Sequence, residues 1–370
     1  MTILRQSFLF ISLLSIALAS VAAAEPQPRT SAPAVSKKNV PAATTEPIID
    51  YRERFIPVVA RHGMVVGPEQ LAAEVGVQIL RQGGNAVDAA VATGFALAVT
   101  YPRAGNLAGG GFMLIHLADG DRQTLIDYRE TAPAAASRDM FLNDAGALDQ
   151  SREYFSLQSA GVPGTVAGLL YALDKYGTLN REQVLAPAIA LAQEGLPVSF
   201  ALSFEIGASA KRLRQNPAAK RLFFKADGAA YDIGEIWRQP DLAWTLGQIS
   251  DKGAEGFYQG EVAQRITAEM TSGGGLITAQ DLAAYRVVER QPVRGTYRGF
   301  EVVSTPPPSS GGVHILQILN VLEGYDLQTM GHNSAAYLHH LTEAMKLAYA
   351  DRSLYLADPD FVDVPVQQLI

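Results

Sequence analysis

The chain changes its hydrophobic rhythm several times, and each change marks an element. In "PEQLAAEVGVQILRQGG" (68–84), Leu71, Val75 and Ile79 recur every four residues, the spacing of one helical face, and a Gly pair ends the run. "NAVDAAVATGFALAVT" (85–100) has no polar face at all, which predicts a helix buried on most sides, with Asn85 as its N-cap. Two runs of β-forming residues in "GFMLIHLADGDRQTLIDYRE" (111–130) flank Asp119-Gly120, a pair that favours a hairpin turn. Further helices are predicted over 164–177, 181–195, 240–253, 261–275, 311–324 and 334–355, and strands over 62–67, 285–290 and 293–305. Antiparallel strands with helices on their faces give an α+β layered architecture.

Ahead of these elements the pattern is different. The first residues carry one cation, Arg5, then an apolar stretch from Phe8 to Ala19, then small residues at Ala22 and Ala24. That is the layout of a secretory signal peptide over 1–24, too short and too weakly flanked for a stable membrane anchor, and it implies a periplasmic or secreted product. Residues 25–54 are rich in Pro, Ala and Thr without periodicity and read as a tether; the globular part is 55–370.

Composition narrows the chemistry. The 370 residues are 48% hydrophobic and carry a formal charge of −7 with no basic run, so a nucleic-acid partner is not expected. With no cysteine, the chain has neither disulfides nor a thiol nucleophile, and its six histidines lack metal-ligand spacing; no metal or cofactor is expected. The glycines of "YPRAGNLAGGGFML" (101–114) follow a helix and precede a strand, the reverse of a phosphate loop, so they predict a close-packed turn that can border a site. In "TPPPSSGG" (305–312), Ser309 and Ser310 precede a helix and read as caps in preference to nucleophiles. Arg129, in "LIDYRETAP", ends the second hairpin strand. Its guanidinium either makes an ordinary surface ion pair with Asp127 or Glu130 or presents a fork to a ligand carboxylate.

Taken together, "GGNAVDAAVATGFALAV", "AGNLAGGGFML", "DYRETAPAAASRDMF", "GVPGTVAGL", "LAPAIALAQEG", "PPPSSGG" and "EAMKLAYADRSLYLADPDF" resemble the large-subunit region of the γ-glutamyltranspeptidases, in order, from about Gly63 onward. The resemblance implies an N-terminal-nucleophile hydrolase fold, an αββα sandwich incomplete here because the small subunit is absent. It implies a precursor that cuts itself before a Thr, which becomes the nucleophile for γ-glutamyl transfer from glutathione, or a related donor, to water or to an amino-acid or dipeptide acceptor. By the same match Arg129 is the donor-carboxylate arginine. No Thr-Thr-His-like cleavage segment occurs, and the one Thr-Thr pair, Thr44-Thr45, lies in the tether. No catalytic residue is therefore assigned within the chain, which is expected to be inactive alone. The alternatives are a cephalosporin acylase-like or capsule-processing sibling on the same fold, or a non-catalytic scaffold. Cleavage after Ala24 predicts that N-terminal sequencing of the exported protein starts at Glu25; a product that keeps Met1 would overturn the signal-peptide reading.

Overall fold

Asn85 opens the most enclosed helix of the molecule, and its surroundings set the frame for the rest. The structure, a computed structural model, describes residues 58–370; the expected signal segment and tether lie outside the described residues. The chain divides into Met1–Val59 and Ala60–Ile370, and the second unit carries every element below. Helix α1 (Gln70–Arg81) and helix α2 (Ala86–Thr100) form as the spacing predicts, and eleven residues of α2 are buried. The Asn85 side chain accepts from the amides of Val87 and Asp88, while the Asp88 carboxylate accepts from the Asn85 amide at 2.7 Å, a reciprocal capping box.

After α2 the hairpin strands β1 (Phe112–Leu117) and β2 (Arg122–Asp127) pair antiparallel, joined by a short turn in which Gly120 has φ +70. Met113 and Ile115 on β1, and Ile126 on β2, face the core shared with α2. The chain continues through α3 (Gln150–Phe155), α4 (Thr165–Tyr176) and α5 (Arg181–Glu194), then β3 (Leu196–Pro197), α6 (Phe200–Leu213), α7 (Pro217–Phe223) and β4 (Ile236–Trp237). Next come α8 (Pro240–Lys252), α9 (Glu255–Tyr258), α10 (Gly260–Gly273), α11 (Ala279–Ala284) and β5 (Val288–Arg290). The last part holds β6 (Val293–Tyr297), β7 (Phe300–Ser304), α12 (Gly311–Glu323), α13 (Leu327–Met330), α14 (Ala335–Tyr355) and α15 (Val366–Leu369).

Strand β5 adds to β2, giving a three-stranded sheet in the order β1-β2-β5; β3-β4 and β6-β7 are separate antiparallel pairs. The α+β class is thus met, with helices packed around these short antiparallel sheets. Trp237, Phe95, Leu185 and Leu246 lie fully buried in one hydrophobic core. Helix α14 is different: only Ala344 and Ala348 are buried, while Leu347, Tyr349 and Leu354 stay exposed. Among the described residues no helix is long and apolar enough to cross a membrane.

Two expected elements differ. Residues 62–67 form no strand among the described residues and are mostly exposed; without a neighbouring ladder, only Val65 packs on the core, over Gly76. The single strand expected over 293–305 folds back on itself as β6 and β7, because Arg298 and Gly299 take φ of 52 and 84 and make a two-residue turn.

Asp88 ties this framework together. Fully buried, it also accepts from the Thr178 amide and hydroxyl and from the Leu179 amide, which joins the start of α2 to the loop before α5. Burial alone would raise its pKa; the bonds from Thr178, Asn85 and Leu179 together outweigh burial and hold the carboxyl below its ordinary value. Its folded-state value being depressed, its contribution is present above about pH 4 and is lost as pH falls through the lowered value. Asp88→Asn, which turns an NH2 toward those donors, is expected to cost about 2–4 kcal/mol in urea unfolding at pH 7. A variant as stable as the parent would remove Asp88 from this role.

Candidate functional site

The glycines of 105–111 form a turn whose tightness is set by backbone approaching backbone. The Gly105 amide donates to the Tyr101 carbonyl at 2.7 Å, closing the turn after α2, and a Cβ on Gly105 would lie 2.2 Å from the Leu97 carbonyl oxygen. The Gly109 carbonyl accepts from the amides of Gly164 and Thr165, so this turn caps the start of α4. Gly111 and Tyr128 exchange two backbone bonds and extend the hairpin by one pair. A Cβ on Gly110 would stand within 2.5–2.9 Å of backbone atoms of Tyr128, Arg129 and Glu130. One on Gly164 would lie 2.0 Å from the Tyr128 carbonyl oxygen and 2.1 Å from the Tyr285 hydroxyl. The expected close-packed turn is present, and its edge is the segment that carries Arg129.

That segment is held from every side. Strand β2 ends at Asp127, so Arg129 stands two residues beyond it. Its amide donates to Asp127 Oδ1 at 3.0 Å, its carbonyl accepts from the Tyr285 hydroxyl at 2.9 Å, and Thr131 bridges to Val162. Below it, Tyr285 stacks on Tyr258 with centroids 5.7 Å apart, and the Tyr258 hydroxyl donates to the Pro163 carbonyl at 2.8 Å. Burial pushes the Tyr128 hydroxyl up to about 12 and raises those of Tyr258 and Tyr285 as well. The three phenols therefore stay neutral across the physiological range, and those of Tyr258 and Tyr285 act as hydrogen-bonding struts.

The Arg129 side chain is exposed, and among the described residues its guanidinium makes no hydrogen bond or ion pair. Asp127, one of the two expected ion-pair partners, is committed elsewhere: its Oδ2 accepts from Arg290 Nε at 2.7 Å. Arg290 in turn forks both terminal nitrogens onto Asp360, at 2.9 and 2.7 Å. The Arg290 contacts hold the Asp360 carboxyl below the usual range, and the bonds to Asp360 and Asp127 raise the Arg290 pKa further. A rigid backbone with a free cation at its surface is suited to capturing a carboxylate.

Elsewhere, Ser309 Oγ accepts from the Gly311 amide at 3.2 Å, whereas Ser310 occupies the cap position of α12 with no side-chain bond to it. Capping is thus done by Ser309 alone. Two clefts, about 630 Å³ between α1 and α5 and about 780 Å³ between the end of α2 and α6, do not include Arg129.

The γ-glutamyltranspeptidase family profile matches residues 72–370. The chain belongs to the γ-glutamyltranspeptidase family. The glutathione hydrolase proenzyme of Escherichia coli (strain K12) is 49% identical over 331 residues, covering 89% of this chain and 57% of that protein. The acylase ACY 1 proenzyme of Pseudomonas sp. (strain V22) is 42% identical over 329 residues, covering 87% of this chain and 59% of that protein. The solved structure of Helicobacter pylori γ-glutamyltranspeptidase superposes with a TM-score of 0.83 at 46% identity, covering 85% of this chain and 90% of that one. The chain spans little more than half the length of the two proenzymes it matches.

Within this γ-glutamyltranspeptidase chain, sequence reading singled out Arg129 and the glycine turn but not Tyr285, Arg290 and Asp360, which hold the surrounding segment. Tyr285 lies 156 residues from Arg129, and Arg290 lies 163 from Asp127, so no local pattern could connect them. The turn gives a direct test of the close approach. Gly110→Ala should cost about 2–3 kcal/mol by forcing the 128–130 backbone to move, whereas Gly146→Ala, with φ +74 but open space around it, should cost only about 1 kcal/mol. Equal costs in denaturant unfolding would contradict the close approach.

Proposed function

We propose that this chain is the large-subunit region of a γ-glutamyltransferase that is also a glutathione hydrolase, exported to the periplasm or beyond. The observation that carries the reading is the free Arg129 guanidinium on a clamped backbone, at the position that resembles the family's donor-carboxylate arginine. The donor is glutathione or another γ-glutamyl compound, and Arg129 forks its α-carboxylate. The small subunit from the same precursor supplies the N-terminal Thr. Its α-amine takes the hydroxyl proton as the oxygen attacks the γ-glutamyl carbonyl, and the amide nitrogen leaves with that proton. Water or an amino-acid or dipeptide acceptor then opens the γ-glutamyl ester and regenerates the Thr. The reaction draws on no cofactor.

A sibling specificity is supported by the acylase relative at 42% identity, and Arg129 separates the two. A γ-glutamyl donor needs a cation for its α-carboxylate; an acyl donor without that carboxylate does not. In the full-length protein, Arg129→Ala should raise KM for γ-glutamyl-p-nitroanilide about 100-fold, the loss of a charge-assisted fork. Residues 1–370 alone should release no p-nitroaniline until mixed with the small subunit. An unchanged KM in Arg129→Ala would overturn the donor reading and favour an acylase-like substrate.

A further inference from the structure

Asp127 and Arg129 carry opposite charges two residues apart, yet they do not pair through their side chains. The Asp127 carboxylate is buried, at 6% exposure, and one of its oxygens already lies 3.0 Å from the Arg129 amide. The guanidinium of the same residue is therefore within easy reach of it. What satisfies the carboxylate instead is Arg290, whose Nε meets the other oxygen at 2.7 Å. Arg290 sits on β5 opposite Leu125 of β2, its side chain 14% exposed, and Asp360 grips its two terminal nitrogens. The fork is thus enclosed between two carboxylates and fixed in orientation by the outer one.

We propose that Arg290 is a positioning residue for the donor site: by neutralising Asp127 it keeps the Arg129 guanidinium free for the donor carboxylate. A buried carboxylate that loses its counter-charge is strongly destabilised, and the long side chain two residues away is the group on hand to replace it. Because the Arg129 amide and carbonyl are both bonded, its backbone stays in place and only the side chain moves. The result is competition between an internal carboxylate and the substrate's carboxylate for one cation. Arg290, locked by Asp360, decides it in favour of the substrate. The kinetic half of this inference rests on the donor reading of Arg129; the pairing half rests on the geometry alone.

The test has two readouts on the full-length protein. The first is the rate at which phenylglyoxal modifies Arg129, followed by peptide mass. Arg290→Met should slow it about five-fold or more, and Asp127→Asn combined with Arg290→Met should restore it to within about two-fold, since Asn cannot compete as an anion. The second is γ-glutamyl-p-nitroanilide kinetics: Arg290→Met should raise KM about ten-fold with kcat changed less than about two-fold, and the double variant should recover KM. If Arg290→Met does not fold, Arg290→Lys, which keeps the charge but cannot bridge both carboxylates, should show the same changes at smaller size. Wild-type modification rates in the Met and Lys variants, or no recovery in the double variant, would overturn the proposal. Should Arg129→Ala leave KM unchanged while the modification rates respond as stated, the donor reading falls and the pairing stands.

Discussion

The site depends on how closely separate stretches of backbone can approach. Residues 128–130 are wedged among the glycine turn, the start of α4 and the Tyr285 hydroxyl, at distances that leave no room for a single methyl group. Such contacts are possible only where the side chain is a hydrogen atom, so the glycines at 110 and 164 act by omission. The tight fit also removes freedom from the segment before any ligand arrives. Arg129 consequently offers its charge from a platform that has little left to lose on binding, and preorganisation of this kind is where much recognition energy is preserved.

The platform is stiff because what lies beneath it is stiff. Helix α2 is enclosed by apolar side chains, and its first turn is fastened to the loop before α5 by the donors that converge on Asp88. Ile115 and Ile126 of the hairpin belong to the same hydrophobic core as that helix, and the stacked pair Tyr258 and Tyr285 carries the support upward to the Arg129 carbonyl. Each layer is neutral or internally compensated, with the buried acids Asp88 and Asp127 fully bonded. Among the described residues, the Arg129 guanidinium at the tip of this support has no hydrogen bond or ion pair.

Local chemistry was legible in the sequence; distant pairing was not. The Asn85 cap and the Asp119-Gly120 turn are written in residues close together in the chain, and both formed. Residues 62–67 have a strand's composition, yet a strand exists only when another lies beside it, and that is a property of the tertiary structure. The Arg298-Gly299 turn has no local signal because Arg rarely adopts a positive φ, and helices α6 and α7 begin at the side-chain caps Ser199 and Asn216. At the site, local spacing alone set Arg129 beside two acids, Asp127 and Glu130, without deciding whether either pairs with it. Arg290, remote in sequence, takes Asp127.

The bond between Arg290 and Asp360 has a meaning beyond the site. It joins residues 70 positions apart, and between them lie β6, β7 and α12 to α14, the last a long helix that buries little more than two alanines. Closing such a loop removes chain entropy whose cost grows only slowly with length. In a protein with no cysteine, a forked ion pair thus serves as a reversible clasp on its least anchored arm. Unlike a disulfide, this clasp answers to salt and acid instead of to redox potential.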